Sequence, residues 1–238
     1  MIKQVAIGFL DGVDPIEADR WYFRYHYKEC LRFFGPWLRR YESYRAQEPP
    51  PEAERFGVRR GRLTELWYDS IESFIEAKPF SWPFTRSSFT RVSNNAQPAA
   101  GAMVPAMPTE DFLGKAPTPE ERPILRWVCV FRYPEGVSLE DGEKWYLDVH
   151  SREVAQQPGL LKYVSHSALK DSPMPSPWVR VSELWYEDFD AWRKANIDSP
   201  PGFTSPPWAD SEPFVELAST FVRYKPDVDF LKDNPLIP

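Results

Sequence analysis

The sequence predicts an α+β protein in which one β-α-β-β-α-β unit occurs twice and the two copies close on each other. Two observations carry this. The chain repeats itself along its length, residues 1–115 against 122–238. Each copy also runs through strand-like and helix-like hydrophobic periods in the same order.

Displaced by 124, Gly12-Val13 falls on Gly136-Val137, Trp21-Tyr22 on Trp145-Tyr146, His26 on His150, Glu29 on Glu153 and Gly35 on Gly159. At a displacement of 122, Tyr41 meets Tyr163 and Tyr44 meets His166. At 118, the run RLTELWY from Arg62 to Tyr68 lies over RVSELWY from Arg180 to Tyr186. The same displacement superposes Asp111-Phe112 on Asp229-Phe230. Two small length changes align these landmarks.

The elements follow in order. Gln4 to Leu10 and Trp127 to Tyr133 are apolar, β-branched runs and predict first strands, closed by turns at Gly12 and Gly136. Residues 15–34 and 139–157 carry aromatics at helical spacing and predict first helices, ended by Pro36 and by Pro158-Gly159. Second strands are expected over Tyr41 to Ala46 and Tyr163 to Leu169, third strands over Arg62 to Tyr68 and Arg180 to Tyr186. Short helices follow at 69–77 and 187–195, opening on acids suited to a helix N-terminus. Pro-rich excursions, 79–98 and 198–213, precede last strands near 100–106 and 214–224. This order is the ferredoxin-like one, with helices on one face of an antiparallel sheet. The bare face must be covered. The second βαββαβ module supplies the cover, so the fold class expected is an intramolecular dimeric α+β barrel. The stretch 115–123, with three prolines, reads as the linker.

Composition narrows the function. The net charge is −6 with no basic block, which argues against nucleic acid as a partner. No run approaches the roughly 18 apolar residues of a membrane span, and the expected location is cytoplasmic. Cys30 and Cys129 form no C-x-x-C motif and read as buried thiols. Aromatics make up 16% of the chain, with ten Trp, which suits two small cores or a pocket for a ring-shaped ligand.

A helix carrying Trp-Tyr-x-x-x-His, a Pro/Gly break, a Tyr-bearing strand and then Glu-Leu-Trp-Tyr before a short helix resembles the EthD-like family of dimeric α+β barrel proteins. The resemblance covers both halves, so the chain looks like a tandem-fused member. It implies a small enzyme without a cofactor, of the kind that isomerises lactones or dehydrates, decarboxylates or cyclises aromatic and polyketide-like substrates. The wider superfamily also holds cofactor-free monooxygenases and haem proteins. Fold does not choose among these.

The residues suggest where to look. Tyr22, His26 and Glu29 share one helix face, and Tyr146, His150 and Glu153 repeat the arrangement. Imidazole suits proton transfer near neutral pH, a neighbouring carboxylate fixes its tautomer, and a tyrosine hydroxyl polarises a substrate oxygen. With this face turned to the sheet, Tyr41, Tyr44, Tyr163 and His166 line the far wall of a pocket in each half. The second half then pairs His150 with His166 as acid and base and is the expected active one. The competing reading, a satisfied structural histidine copied by duplication, fits the same spacing. Trp67 and Trp185 read first as core and second as substrate walls. Glu65 and Glu183 read as ion-pair partners, with Arg62 and Arg180 the nearest candidates. His-x-x-Glu also has the spacing of helical metal ligands, but each half offers few further ligands, and no metal is expected. Haem at His150 or His166 is not required by any feature. The small last strand of the first half, Ala99 to Met103, leaves room for a ligand or for close packing. The aromatic excursions, with Phe80, Trp82, Phe84 and Phe89 in one and Phe203 and Trp208 in the other, read as lids or as braces of the barrel seam.

The expected function is a cofactor-independent lyase or isomerase acting on a small aromatic or lactone-like metabolite, with His150 or His26 as general acid/base. The alternatives are a non-catalytic binder of a hydrophobic molecule, or a monooxygenase or haem enzyme. Two fused chains could also pair as a homodimer.

Overall fold

The computed structural model describes residues 1–9, 12–77, 100–114, 124–174, 176–198 and 202–232. The first half contains β1 (Ile2–Phe9), a long helix α1, β2 (Leu38–Tyr44), β3 (Gly61–Tyr68), a short helix α2 over 71–77, and β4 (Ala100–Pro105). A two-residue strand β5 (Glu110–Asp111) follows. The second half repeats the order with β6 (Leu125–Arg132), helix α3, β7 (Lys162–Ser167), β8 (Arg180–Tyr186), helix α4 beginning at Phe189, β9 (Glu216–Arg223) and β10 (Val228–Asp229). Most expected strands begin or end within three residues of those observed.

Both first helices contain a feature that a helical wheel does not show. Helix α1 runs Pro15–Trp21, then a π-helical turn Tyr22–His26, then Tyr27–Phe34. Helix α3 does the same, with Leu139–Trp145, Tyr146–His150 and Ser151–Val154. The wider turn is closed by i→i−5 bonds, Tyr27 N–H to Tyr22 O and Ser151 N–H to Tyr146 O. Both helices start on a side-chain cap: Asp14 accepts from the amides of Ile16 and Glu17, and Ser138 from that of Asp141.

The strands form two antiparallel five-stranded sheets, ordered β10-β2-β3-β1-β4 and β5-β7-β8-β6-β9. The halves trade edge strands: β10 pairs with β2, and β5 pairs with β7. The traded segments each bring a phenylalanine. Phe230 stacks on Tyr27 at 4.2 Å, and Phe112 packs on Tyr163 at 4.6 Å.

The two sheets face each other over one apolar interior. Val5, Ile7, Leu63, Ala100, Ala102 and Val104 of one meet Val128, Val130, Val181 and Val222 of the other. The seams also close, through an Ala46–Val222 bridge and the bond from Leu169 N–H to Met103 O. The small last strand of the first half serves this close packing. The opposite face of each sheet carries its helices, with Trp127, Cys129, Phe131, Leu184 and Phe221 under α3 and α4.

Strand registers fix the displacement between the first strands. Val5 faces Glu65 across β1–β3, and Val128 faces Glu183 across β6–β8. The first strands therefore superpose at a displacement of 123, one less than the turn glycines. A one-residue slip exchanges the two faces of a strand, so this step decides which side chains enter the interior.

What enters is charge. Lys3 and Arg126, equivalent at a displacement of 123, hold Glu65 and Glu183 between the sheets. Lys3 Nζ lies 3.4 Å from a carboxylate oxygen of each, and Arg126 Nη2 lies 3.1 Å from Glu65 and 3.0 Å from Glu183. All four are nearly inaccessible to solvent. Burial alone would raise the Glu183 carboxyl, but Arg126, Lys3 and His166 outweigh it and hold it well below the usual carboxylate range. Glu65 and Glu183 are thus ion-paired as expected, but not with Arg62 and Arg180. Three positions apart on a strand means opposite faces, so those arginines lie under the helices.

Cys30 and Cys129 are free and buried. Among the described residues no helix is long and apolar enough to cross a membrane.

Candidate functional site

A cavity of about 490 Å³ opens between α3 and the second sheet. Its floor is the helix-facing row of the strands, Trp127, Cys129 and Phe131 from β6, Tyr163 from β7, Ser182 and Leu184 from β8. Trp145, Tyr146 and His150 of α3 form one wall. The segment after α4 closes the mouth with Phe203 and Phe214, and the first half contributes Arg55, Phe56 and Gly57.

That last contribution rests on a glycine. Arg55 and Phe56 end a 3₁₀ turn, Pro51–Phe56, and Gly57 then takes φ +64°. A Cβ there would stand 2.9 Å from Leu217 O, so only glycine lets this loop lie on β9. The loop is fastened by Ser219 N–H to Gly57 O and by Arg59 N–H to Ser219 O. Arg55 reaches on to Asn196 O at 2.8 Å.

His150 owes its position to the π-turn. The wide turn brings residues five apart onto one face, and the imidazole stacks on Trp145 with centroids 4.8 Å apart and planes 22° from parallel. Phe203 covers it at 5.0 Å. Its Nδ1 is buried and has no hydrogen-bond partner among the described residues. Burial lowers its pKa to about 4, against the opposing pull of Glu153, so the ring is neutral at physiological pH. Glu153 does not orient the imidazole. It accepts from Thr204 N–H at 3.0 Å and Thr204 Oγ1 at 2.5 Å, and so fastens the segment that carries Phe203. Trp145 Nε1 donates to Thr204 O, and Trp208 Nε1 to Phe214 O, which tie the same segment down. The excursion expected at 198–213 thus lies over the cavity of its own half, where described. The matching residues Phe80, Trp82, Phe84 and Phe89 lie outside the described residues.

From α3 into the sheet, hydroxyls form a chain. Tyr146 Oη lies 2.8 Å from Tyr163 Oη and 2.9 Å from Ser182 Oγ. Ser182 Oγ lies 3.0 Å from Ser165 Oγ, which accepts from Arg180 Nη1 at 2.9 Å. Arg180 is further held by Glu143 and Glu110 and stands over the Tyr146 ring at 4.9 Å. Burial raises the pKa of both tyrosines, partly offset at Tyr146 by its bonds to Ser165 and Ser182. Deeper in, Tyr186 donates to Gln157 Oε1, whose Nε2 donates to Asn196 Oδ1.

The first half repeats much of this. Tyr22 Oη lies 3.0 Å from Tyr41 Oη and 3.3 Å from Thr64 Oγ1, and Arg62 donates to Ser43 Oγ at 2.8 Å and pairs with Asp19. His26 stacks on Trp21 at 4.7 Å, sits 3.6 Å from Cys30 Sγ, and is lowered to about 4 by burial. Glu29 is half-buried on the same helix.

The sequence expectation brought too many residues to one wall. Tyr41 and Tyr163 do face the helices. Tyr44 and His166 face the barrel interior, because they lie three positions further along strands whose side chains alternate. His166 Nε2 is 3.9 Å from Glu183, its Nδ1 contacts Pro105 O at 3.1 Å, and burial and Lys3 lower it to about 4. His150 and His166 therefore sit on opposite faces of one sheet and cannot act as a pair. Tyr44 donates to Glu42 and lies under Arg126. Trp67 and Trp185 also line the interior: Lys3 stands over Trp67 at 5.3 Å, and Trp185 Nε1 donates to Glu183. Neither touches the cavity. Ser165, Ser182, Gln157, Asn196 and Arg55 were missed. The serines could have been found by extending the strand alternation from Tyr163 and Arg180; the other three depend on tertiary packing. Among the described residues no group of three or more His, Cys, Asp or Glu is placed to hold a metal ion.

Comparison with known proteins agrees with the architecture. An anthrone oxidase-like protein of solved structure aligns with a TM-score of 0.56 at 13% identity, over 93% of this chain and 90% of that one. The fold is that of a dimeric α+β barrel. A dye-decolorizing peroxidase from Bacteroides thetaiotaomicron aligns at 0.43 with 12% identity, over 93% of this chain and 92% of the other. A chlorite dismutase from Candidatus Nitrospira defluvii aligns at 0.39 with 8% identity, over 92% and 90%. Residues 6–89, within the first half, match the family described as chalcone isomerase N-terminal domain. No curated protein matches the sequence. At 13% identity, the anthrone oxidase-like protein speaks to the fold alone.

Proposed function

We propose that the chain is a small-molecule enzyme that moves a proton on a flat, largely apolar ring compound, in the second-half cavity and with no cofactor. The observation that carries this is His150. A neutral imidazole with an unpartnered buried nitrogen lies on the wall of a cavity, beside a chain of hydroxyls that runs from Tyr146 into the sheet. The imidazole accepts a proton from an acidic C–H or O–H, and Tyr146 donates a hydrogen bond to the oxygen on which the negative charge collects. Trp127, Trp145, Phe131 and Phe214 supply ring-shaped walls.

In a hydroxylated enone the O–H breaks, the oxygen adds to the β-carbon and the proton returns at the α-carbon, which makes this an isomerase; loss of a leaving group after deprotonation makes it a lyase. The first half's match to a chalcone isomerase domain, carried to the second half by the repeat, supports the first, with a hydroxylated enone as substrate class. A second reading draws on the anthrone oxidase-like neighbour: the same deprotonation prepares an anthrone for reaction with dioxygen, giving the quinone and water. Membership of the EthD-like family, and division into modules at 1–115 and 122–238, belong to this same reading.

The test is turnover. Purified protein is offered a 2′-hydroxychalcone and anthrone, with product followed by absorbance and oxygen uptake followed by electrode. Isomerisation without oxygen uptake supports the first reading, and uptake with anthrone the second. Turnover unchanged in His150→Ala would overturn the assignment of the base.

A further inference from the structure

The hydroxyl chain has a direction, and it is set from outside the cavity. A guanidinium has five N–H donors and no acceptor. Ser165 must therefore accept from Arg180 Nη1 at 2.9 Å. Its own proton then has Ser182 Oγ, 3.0 Å away, as acceptor. Ser182 in turn has Tyr146 Oη at 2.9 Å. Ser165, Ser182, Tyr146 and Tyr163 are buried, so an unspent hydroxyl proton along this path would be costly. The arrangement that spends each internal proton runs outward from Arg180, with Tyr163 donating to Tyr146 Oη at 2.8 Å, and it ends with the Tyr146 proton available at the cavity.

We infer that Arg180 acts through Ser165 and Ser182 to make Tyr146 a polarised donor, so that the cavity takes its ligand as an oxyanion, a phenolate or enolate. This deepens the proposed function by naming the ionised form of the substrate and three positioning residues. Charge-assisted donors of this kind are shorter and stronger than neutral ones, and successive hydroxyls reinforce each other. Arg180 is itself fixed by bonds to Glu143 at 2.6 Å and to Glu110 at 2.6 Å, so it is not free to swing toward a ligand. Those two carboxylates balance its charge, so what it passes along the chain is the direction of an N–H donor, while its plane lies over the ring of Tyr146. On binding, the ligand O–H breaks, its proton passes to His150 or to solvent, and the electron pair stays on the ligand oxygen facing Tyr146.

The probe is 4-nitrophenol, whose neutral and ionised forms differ in colour, titrated with pH in the presence of saturating protein. In the wild type the bound probe ionises at lower pH than the free probe, by about one unit or more, a tenfold change in the ionisation constant. Tyr146→Phe abolishes the shift. Ser182→Ala reduces it, and Ser182→Thr, the residue of the first half at this position, restores it. Naphthalene, which has no hydroxyl, binds equally to all four proteins and reports that the cavity is intact. A bound probe that ionises at the free pH or above, an unaltered shift in Ser182→Ala, or no binding of the probe while naphthalene binds would each overturn the inference. The measurement involves no turnover, so absence of catalysis with a persisting shift would count against the proposed reaction and not against the oxyanion site.

Discussion

The two halves of this chain have nearly the same parts under their first helices. Each has a π-turn that stacks a histidine on a tryptophan, a pair of tyrosines and a buried arginine on a serine. They differ in how the parts connect. In the second half the hydroxyl chain is continuous from Arg180 to Tyr146 through contacts of 2.8–3.0 Å, and it faces a cavity. In the first half, Tyr22 to Thr64 stretches to 3.3 Å, and the buried histidine neighbours Cys30. Duplication copied the frame, and the second copy sets the tighter donor chain beside a cavity.

Several experiments would break or sharpen that contrast. The largest difference is expected from His150→Ala against His26→Ala. The first should lower kcat/KM by about 10²–10⁴, the range of general acid–base catalysis, and the second should leave it unchanged. An equal loss from both would make the halves functionally alike. Arg126→Met should cost about 3–5 kcal/mol in urea unfolding, because it strips a buried carboxylate pair of one cation. Lys3→Met should cost a comparable amount, since the interior cluster is shared by both halves. A much smaller cost for one would show the cluster to be lopsided.

The histidines also predict a pH dependence. All three fall from 6.5 to about 4 on burial, so between these values the unfolded chain binds more protons than the folded one. Their contribution is complete above pH 6.5 and is lost as pH falls toward 4, by on the order of 3 kcal/mol per histidine at most. Thermal melts across this range should show it. The acid limb of kcat/KM should fall near pH 4 in the free enzyme, well below an ordinary histidine. The smallest effect is expected from Glu153→Gln, which weakens the hold on Thr204. We expect about 1 kcal/mol of stability at most, and faster release of a bound ligand, measured by stopped flow.

Much of the scaffold was legible in the residues. The Arg-x-x-Glu-Leu-Trp-Tyr runs, the turn glycines and the aromatic helices were enough to place two β-α-β-β-α-β units and to expect them to close on each other. The helix faces bearing Tyr22 and Tyr146 meet Tyr41 and Tyr163 of the second strands. Tyr44 and His166 share strands with Tyr41 and Tyr163, but they lie three positions further on, and strand alternation sends them to the other face. The same alternation separates Glu65 and Glu183 from Arg62 and Arg180.

What the sequence determined by itself is periodicity: which stretches are strand or helix, that the unit repeats, and that its bare sheet face needs a cover. These follow from local spacing and from burying apolar area. What only the tertiary structure decided is which residues meet. Lys3 joins Glu183 across 180 positions, Arg55 reaches the cavity of the other half, and Ser165 and Ser182 link Arg180 to Tyr146. Such contacts depend on register, on a π-turn and on the exchange of edge strands. No short window of sequence records them, because each is fixed by where two distant segments come to rest against each other.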